Sequence, residues 1–147
     1  MYMKLIRTLH ISKDEFYDYL EKEFLNDAKK NCDKKITKLE KGLNFYKHAE
    51  DRYARIDIKV LDYLRGSCYV LEMKSFTDTI TISYKTKEVD DGLEVIFEQT
   101  IASEKNKKRN VISQKFSETV YLSRMSRTIY DIEAAIIKER ENNGANK

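Results

Sequence analysis

The stretch that decides the fold is residues 79–102, TITISYKTKEVDDGLEVIFEQTIA, in a chain of 147 residues. Its first part alternates polar residues with apolar ones, the apolar ones being Ile80, Ile82 and Tyr84. The alternation returns after Asp91-Gly92, and this dipeptide between two alternating runs is a strong signal for a β-hairpin. The pattern predicts two adjacent antiparallel strands, residues 79–88 and 93–102, with one apolar and one polar face.

Strand signals continue from this hairpin towards the N-terminus. Residues 36–78 are rich in β-branched and aromatic residues, and turn signals recur at short intervals, as at Gly66-Ser67. The pattern predicts three further strands, which cover residues 36–48, 53–63 and 68–75. A bulge is expected at Gly42 in the first of them. Residues 36–102 are therefore expected to form an antiparallel meander of five strands.

The N-terminal residues predict one more strand, followed directly by a helix. Residues 2–11 alternate, with one face made of Met3, Leu5, Leu9 and Ile11. Arg7 interrupts that face. Ser12 and Glu15 have the S-x-x-E spacing of a capping box, which marks the start of a helix. Apolar residues at i+4 spacing continue this helix from residue 13 to about residue 31: Phe16, Leu20, Phe24 and Ala28.

The C-terminal part of the chain predicts one long helix. Its apolar residues step by three and four, which keeps them on one stripe: Leu122, Met125, Ile129, Ile132 and Ile136. Phe116 and Val120 are out of phase with this stripe. Either the helix breaks near residues 117–119, or a partner or a loop uses a second apolar face. Residues 142–147 are expected to be a flexible tail, which leaves residues 1–141 as a single domain.

The order of elements predicts an α+β fold. About six antiparallel strands with one apolar face need a cover, and the C-terminal helix is the element long enough to provide it. This arrangement resembles the helix-grip fold of the START/SRPBCC superfamily. More narrowly, the run YVLEMKSFTDTITISY at residues 69–84, with Asp91-Gly92 and Glu98-Gln99-Thr100, resembles a small bacterial family of unknown function. The resemblance implies a curved sheet around the helix, often with a cavity between them, and it names no catalytic residue.

Composition limits the class of protein. Apolar residues make up 41% of the chain and charged residues 36%, with a net charge of +3, which is typical of a globular domain and excludes disorder as the default. The apolar runs are too short for a membrane-spanning helix, and residues 1–12 lack the features of a signal peptide. We therefore expect a cytoplasmic protein without membrane insertion, with Cys32 and Cys68 as reduced thiols.

Motifs for catalysis, metals or nucleic acids are missing from the sequence. The glycines are scattered, so no phosphate-binding loop can be drawn. His10, His48 and the two cysteines lack the spacing of a zinc site, and Cys68 reads as a small buried apolar residue rather than a nucleophile. The basic residues Lys105, Lys107, Lys108 and Arg109 have no aromatic residues between them, so nucleic-acid binding is disfavoured. We predict no catalytic residue, no metal and no cofactor.

The candidate site is the predicted space between the sheet and the C-terminal helix. Tyrosines on adjacent strands would add hydroxyl groups to an apolar lining, a combination typical of ligand pockets. The candidate lining residues are Arg7, Tyr63, Tyr69, Leu71, Met73, Ile82, Tyr84, Phe97, Met125, Ile129 and Ile132. Arg7 either reaches solvent at the sheet edge or contacts an anion in the cavity. The alternative for the tyrosines is an ordinary amphipathic sheet surface.

Three functions remain open at this point. The first is a non-catalytic module that holds a small apolar or amphipathic ligand between sheet and helix. The second is an interaction or regulatory domain without a ligand, which acts through the face of Phe116 and Val120 or as a homodimer. The third, less favoured, is a cyclase or hydrolase that uses Arg7, a pocket tyrosine or a carboxylate as acid or base.

Overall fold

Six strands and two helices make up the computed structural model, which describes residues 1–31, 35–48, 55–103 and 111–145. In chain order they are β1 (Tyr2–Leu9), α1 (Lys13–Asn31), β2 (Asn44–His48), β3 (Arg55–Leu64), β4 (Cys68–Lys74), β5 (Asp78–Val89), β6 (Gly92–Ser103) and α2 (Val111–Ala145). The strands form one antiparallel sheet in the order β1-β6-β5-β4-β3-β2. The predicted α+β class, with six strands and a helix after the first strand, is confirmed.

The helices pack on one face of the sheet, which is its inner face. The register arranges the residues of this face in rows that run across the strands. One row, called the aromatic row, crosses five strands and consists of four aromatic residues and one leucine: Tyr63, Tyr69, Tyr84, Phe97 and Leu5. The neighbouring row is mostly aliphatic and consists of Val60, Leu71, Ile82, Gln99 and Met3. Because side chains alternate between the two faces of a strand, each row presents its side chains on the same side. These two rows form the floor on which the helices rest.

Helix α1 begins at the predicted capping box. The backbone N–H of Ser12 donates to the Glu15 carboxylate at 2.9 Å, and the N–H of Glu15 donates to Ser12 Oγ at 3.1 Å. Arg140 of α2 also donates to this carboxylate at 2.8 Å, and its guanidinium lowers the pKa of Glu15 to about 2. The predicted apolar stripe is buried on the sheet, and Tyr17 is buried beside it. The cap therefore fixes both the start of α1 and its contact with α2.

Helix α2 is continuous from Val111 to Ala145, so the alternative of a break near residues 117–119 is wrong. The predicted stripe is confirmed in this helix: Met125, Ile129, Ile132 and Ile136 are buried, and α2 packs chiefly on β1 and α1. Val120 is half-buried, and the side chain of Phe116 lies outside the described residues. The helix extends over residues 142–145, where the sequence analysis places a tail. The sheet curved around a long C-terminal helix is the helix-grip fold.

Some strand boundaries differ from the prediction. The strand expected from residue 36 begins only at Asn44. Gly42 lies in a turn with φ of +93°, its N–H donates to the Val60 carbonyl at 2.9 Å, and the Val60 N–H donates to the Leu43 carbonyl at 2.9 Å. Gly42 and Leu43 therefore face the single residue Val60, which is the two-against-one pattern of the bulge expected at Gly42. A second irregularity, which was not predicted, shifts the register of β3 between Val60 and Asp62. Residues 53 and 54, which were expected in β3, lie outside the described residues. The regular pairing of β2 therefore begins later along the chain than the apolar pattern predicts.

The part of the chain that the structure describes contains no helix both long enough and apolar enough to cross a bilayer.

Candidate functional site

A cleft of about 540 Å³ lies between α1, α2 and the inner face of strands β3–β5. Its apolar walls are Leu20, Phe24, Ile58, Leu71, Ile82 and Ile132. Its polar lining consists of Tyr19, Tyr69, Tyr84 and Thr128, and charged or amide groups of α1 border it at Glu23, Asn26, Asp27 and Lys30. The combination is an apolar interior with a few hydroxyl groups and a polar border, which is the usual composition of a small-molecule site.

The cleft lies over a part of the inner face, at Leu71 and Ile82, that the helices leave partly uncovered. Helix α2 packs chiefly on β1, at one edge, while the buried stripe of α1 lies over the aromatic row through Phe16. Leu71 and Ile82 are directly opposite each other in the register, and both stay half-buried although they belong to the inner face. Burial of apolar surface is the main favourable contribution to folding. Two aliphatic side chains of the inner face therefore retain apolar surface that a ligand can bury.

Aromatic contacts fix the orientation of the two tyrosines in the cleft. The Tyr84 ring stacks on Phe97 with ring centres 4.7 Å apart and an interplanar angle of 11°. Phe16 also contacts the Tyr84 ring, edge-on, with ring centres 5.8 Å apart. Tyr69 contacts Tyr63 edge-on at 5.8 Å and Tyr84 at 6.4 Å. Burial raises the pKa of both Tyr69 and Tyr84, so their hydroxyl groups stay protonated at neutral pH.

Five of the predicted lining residues border this cleft: Tyr69, Leu71, Ile82, Tyr84 and Ile132. Tyr63 and Phe97 lie behind them in the aromatic row, and Met73 is half-buried on the same face. Met125 and Ile129 are buried in the core, away from the cleft lining.

Arg7 lies on the edge strand β1, outside the lining of the cleft. Its guanidinium donates to the Ile6 carbonyl at 2.8 Å, and its side chain is partly exposed. Of the two interpretations of Arg7, this geometry matches the side chain that reaches the surface at a sheet edge.

Sequence reasoning missed the wall that α1 contributes. The i+4 pattern predicts only that the stripe of Leu20 and Phe24 packs by one face, whereas both side chains also border the cleft. The available signal was Tyr19, which lies beside this stripe and shares a helix flank with Glu23 at i+4 spacing. Position alone does not show that a helix flank faces a cavity, because the same pattern also occurs at a solvated boundary.

Other candidate groups are not brought together. Among the residues that the structure describes, no group of three or more His, Cys, Asp or Glu side chains is placed to hold a metal ion. The Cys68 thiol donates to the Asp62 carboxylate at 3.7 Å, and burial, followed by this carboxylate, raises the pKa of Cys68. A raised pKa disfavours the nucleophilic thiolate. Cys32 and the basic residues 105–109 lie outside the described residues.

A second depression of about 620 Å³ lies near β2 and β3, and it is less suited to an apolar ligand. Arg55, Asp57, Lys59, Glu72 and Lys74 contribute charged groups to its wall. The Arg55 guanidinium is already held over the Tyr46 ring at 4.1 Å and paired with Asp57 at 2.9 Å. The cleft under the helices is therefore the better candidate site.

A family model described as a domain of unknown function, DUF3284, matches residues 3–122 of the chain. No curated protein matches the sequence.

Solved structures of other proteins share the fold at low sequence identity. An uncharacterized protein from Rhizobium leguminosarum matches with a TM-score of 0.65 and 10% identity, over 94% of this chain and 95% of that one. Ara h 8.0201 matches with a TM-score of 0.65 and 10% identity, over 94% and 98% of the two chains. The di-domain ARO/CYC protein StfQ of the steffimycin biosynthetic pathway matches with a TM-score of 0.62 and 13% identity, over 96% of this chain and 52% of that one. At these identities the similarity establishes the fold alone.

Proposed function

The chain belongs to the DUF3284 family of domains of unknown function, and on that premise we propose that it binds a small apolar or amphipathic molecule in the cleft, without transforming it. The observation that carries this proposal is the half-buried pair Leu71 and Ile82 on the inner face of the sheet. A volume of about 540 Å³ lies within the range of roughly 300–1,000 Å³ found for ligand sites.

Binding is favoured over catalysis because of where the ionisable groups lie. The carboxylates that border the cleft are Glu23, which is exposed, and Asp27, which pairs with Lys47 at 3.0 Å. The Asp27 carboxylate adds to the burial that raises the pKa of Tyr69, so this hydroxyl stays protonated, and no buried charged residue is present among the residues that the structure describes. A general acid or base must reach the reacting group and titrate near the working pH. The described groups supply shape and apolar contact rather than proton transfer.

Similar structures support the proposal only at the level of architecture. One of them is an ARO/CYC protein of a biosynthetic pathway, so this fold occurs in proteins of small-molecule metabolism. The identity of 13% carries no residue role from that protein to this chain. The ligand of this chain is therefore inferred from its own cleft.

The test is to fill the cleft with a larger side chain that is placed on the sheet. The neutral fluorescent probe N-phenyl-1-naphthylamine is expected to bind with one site per chain. Leu71→Trp places an indole in the cleft and is expected to weaken probe binding by about tenfold or more, because loss of a contact worth about 1.4 kcal/mol has that effect. The measurement is a fluorescence titration of wild-type and variant proteins.

Val70→Trp is the matched control, since Val70 is the half-buried neighbour on β4 and faces the opposite side of the sheet. It is expected to bind the probe within about twofold of the wild type. Circular dichroism on both variants checks that they fold. Equal probe affinity of folded Leu71→Trp and Val70→Trp would contradict binding in the cleft.

A further inference from the structure

We propose that the ligand presents an uncharged hydrogen-bond acceptor, such as a ketone or another carbonyl oxygen, to the hydroxyl groups of Tyr69 and Tyr84. This inference rests on the proposed function and specifies the ligand class of the same cleft. It follows from three observations: the two rings are held in place, their hydroxyl groups have no described partner, and no cation lies beside them among the described residues.

The two hydroxyl groups belong to a rigid pair. Tyr69 and Tyr84 are directly opposite each other in the β4–β5 register. The stack on Phe97 and the edge contact of Phe16 hold the Tyr84 ring, and the edge contact of Tyr63 holds the Tyr69 ring. Groups that are already oriented lose little conformational entropy on binding. The pair is therefore suited to recognise a polar atom at a defined place.

Neither hydroxyl group is satisfied by the protein that the structure describes. Tyr69 is 6% exposed and Tyr84 is 9% exposed, and no hydrogen bond joins either hydroxyl to a described residue. Their oxygen atoms are not fully buried, because the fully buried unpaired oxygen among the described residues is that of Tyr63. By comparison, the buried Tyr17 hydroxyl pairs with Thr86 Oγ1 at 2.8 Å. Both tyrosines border the cleft, so an acceptor on the ligand can pair with these hydroxyl groups.

The charge of the wall determines the type of acceptor. Because burial raises the pKa of both tyrosines, their hydroxyl groups remain donors at neutral pH. The described cation that borders the cleft is the exposed Lys30 on α1, whereas Leu71 and Ile82 lie beside the tyrosines and the Asp27 carboxylate acts on Tyr69. A carboxylate placed there would lose its hydration without gaining a counterion. A neutral carbonyl meets the donors without that cost.

The experiment compares probes of one shape that differ in a single group. The ketone 2-acetonaphthone and the hydrocarbon 2-ethylnaphthalene have similar volumes, and 2-naphthoate adds a negative charge. Their affinities are measured by displacement of N-phenyl-1-naphthylamine. The wild type is expected to bind the ketone about tenfold more tightly than the hydrocarbon, which corresponds to one hydrogen bond. It is expected to bind the carboxylate more weakly than the ketone.

Variants assign this preference to the two hydroxyl groups. Tyr69→Phe with Tyr84→Phe keeps both rings, so the fold and the affinity for the hydrocarbon are expected to stay unchanged, while the preference for the ketone falls to about twofold or less. Tyr130→Phe on the exposed face of α2 is the matched control and should keep the full preference. A merely structural role of the tyrosines would alter the affinity for the hydrocarbon as well.

Failure of this inference and failure of the proposed function give different results. Equal affinity of the wild type for ketone and hydrocarbon, or an unchanged preference in the double variant, overturns the inference and leaves binding in the cleft intact. Tighter binding of 2-naphthoate than of the ketone also overturns it. If neither the fluorescent probe nor the naphthalenes bind at all, the proposed function and the inference are both overturned.

Discussion

Replacement of Phe16 by alanine is expected to destabilise the fold by about 3–5 kcal/mol, the usual cost of removing a buried phenylalanine. Phe16 is 0% exposed and lies between α1 and the sheet. Its ring meets Tyr17 at 5.5 Å and Tyr84 at 5.8 Å, both edge-on. The substitution removes these contacts and leaves a cavity that the rigid aromatic row cannot fill. Urea unfolding of the two proteins measures the difference in the free energy of unfolding.

Phe76→Ala is the matched control, because Phe76 lies in the turn between β4 and β5 and is 97% exposed. The same chemical change there is expected to alter the free energy of unfolding by less than about 0.5 kcal/mol. A loss of less than about 1 kcal/mol for Phe16→Ala would contradict the packing of α1 on the aromatic row.

Gly92→Ala is the second substitution with a large expected effect, a destabilisation of at least about 3 kcal/mol. Gly92 has a φ of +147°, which side chains rarely adopt, and it begins β6 after the turn at Asp90-Asp91. A Cβ atom at this position would lie 2.0 Å from the Leu9 carbonyl oxygen, which is backbone. The end of β1 would have to move away from β6. Thermal and urea unfolding measure the loss.

The control for this prediction is Gly144→Ala near the end of α2, where an added Cβ meets nothing within 4 Å. Alanine favours a helix over glycine, so this variant is expected to be neutral or slightly more stable. If Gly92→Ala were as stable as Gly144→Ala, the close approach of β1 and β6 at Gly92 would be wrong.

The parts of the fold that the sequence predicted correctly are those with local causes. The capping box at Ser12 and Glu15, the i+4 stripe of α1 and the three-four stripe of α2 are all present in the structure. Residues 79–102, in which polar and apolar residues alternate, also form the predicted hairpin. Its turn lies at Asp90-Asp91, because Gly92 is used for the close approach to Leu9. The sequence pattern indicates that a glycine is needed at this point, but it does not show that the reason is the close contact with β1.

The incorrect boundaries depend on contacts between distant residues. Ile36 and Leu39 gave an apolar pattern that favoured a strand, but hydrogen bonds to β3 begin only at Gly42 and the regular strand only at Asn44. The register shift after Val60 is likewise set by the pairing of β3 with β4. A single sequence contains no direct signal for such a partner, since register depends on which strand lies alongside.

For the candidate site, the sequence predicted the residues on the sheet and missed the wall that α1 provides. Alternation placed Tyr69, Leu71, Ile82 and Tyr84 on one face, and the structure has all four at the cleft. The α1 wall depends on the angle at which that helix crosses the sheet, and periodicity does not encode this angle. From the sequence alone, Tyr19 and Phe24 therefore look like ordinary residues of an amphipathic helix.

The most direct test of ligand binding in the cleft is to locate a bound probe by NMR. In a sample with ¹³C-labelled Ile and Leu methyl groups, the acetyl methyl group of bound 2-acetonaphthone is expected to show nuclear Overhauser effects to Leu71, Ile82 and Ile132. These three side chains border the cleft from β4, β5 and α2. Effects confined to exposed methyl groups outside it, such as those of Ile6 or Leu64, would contradict the account.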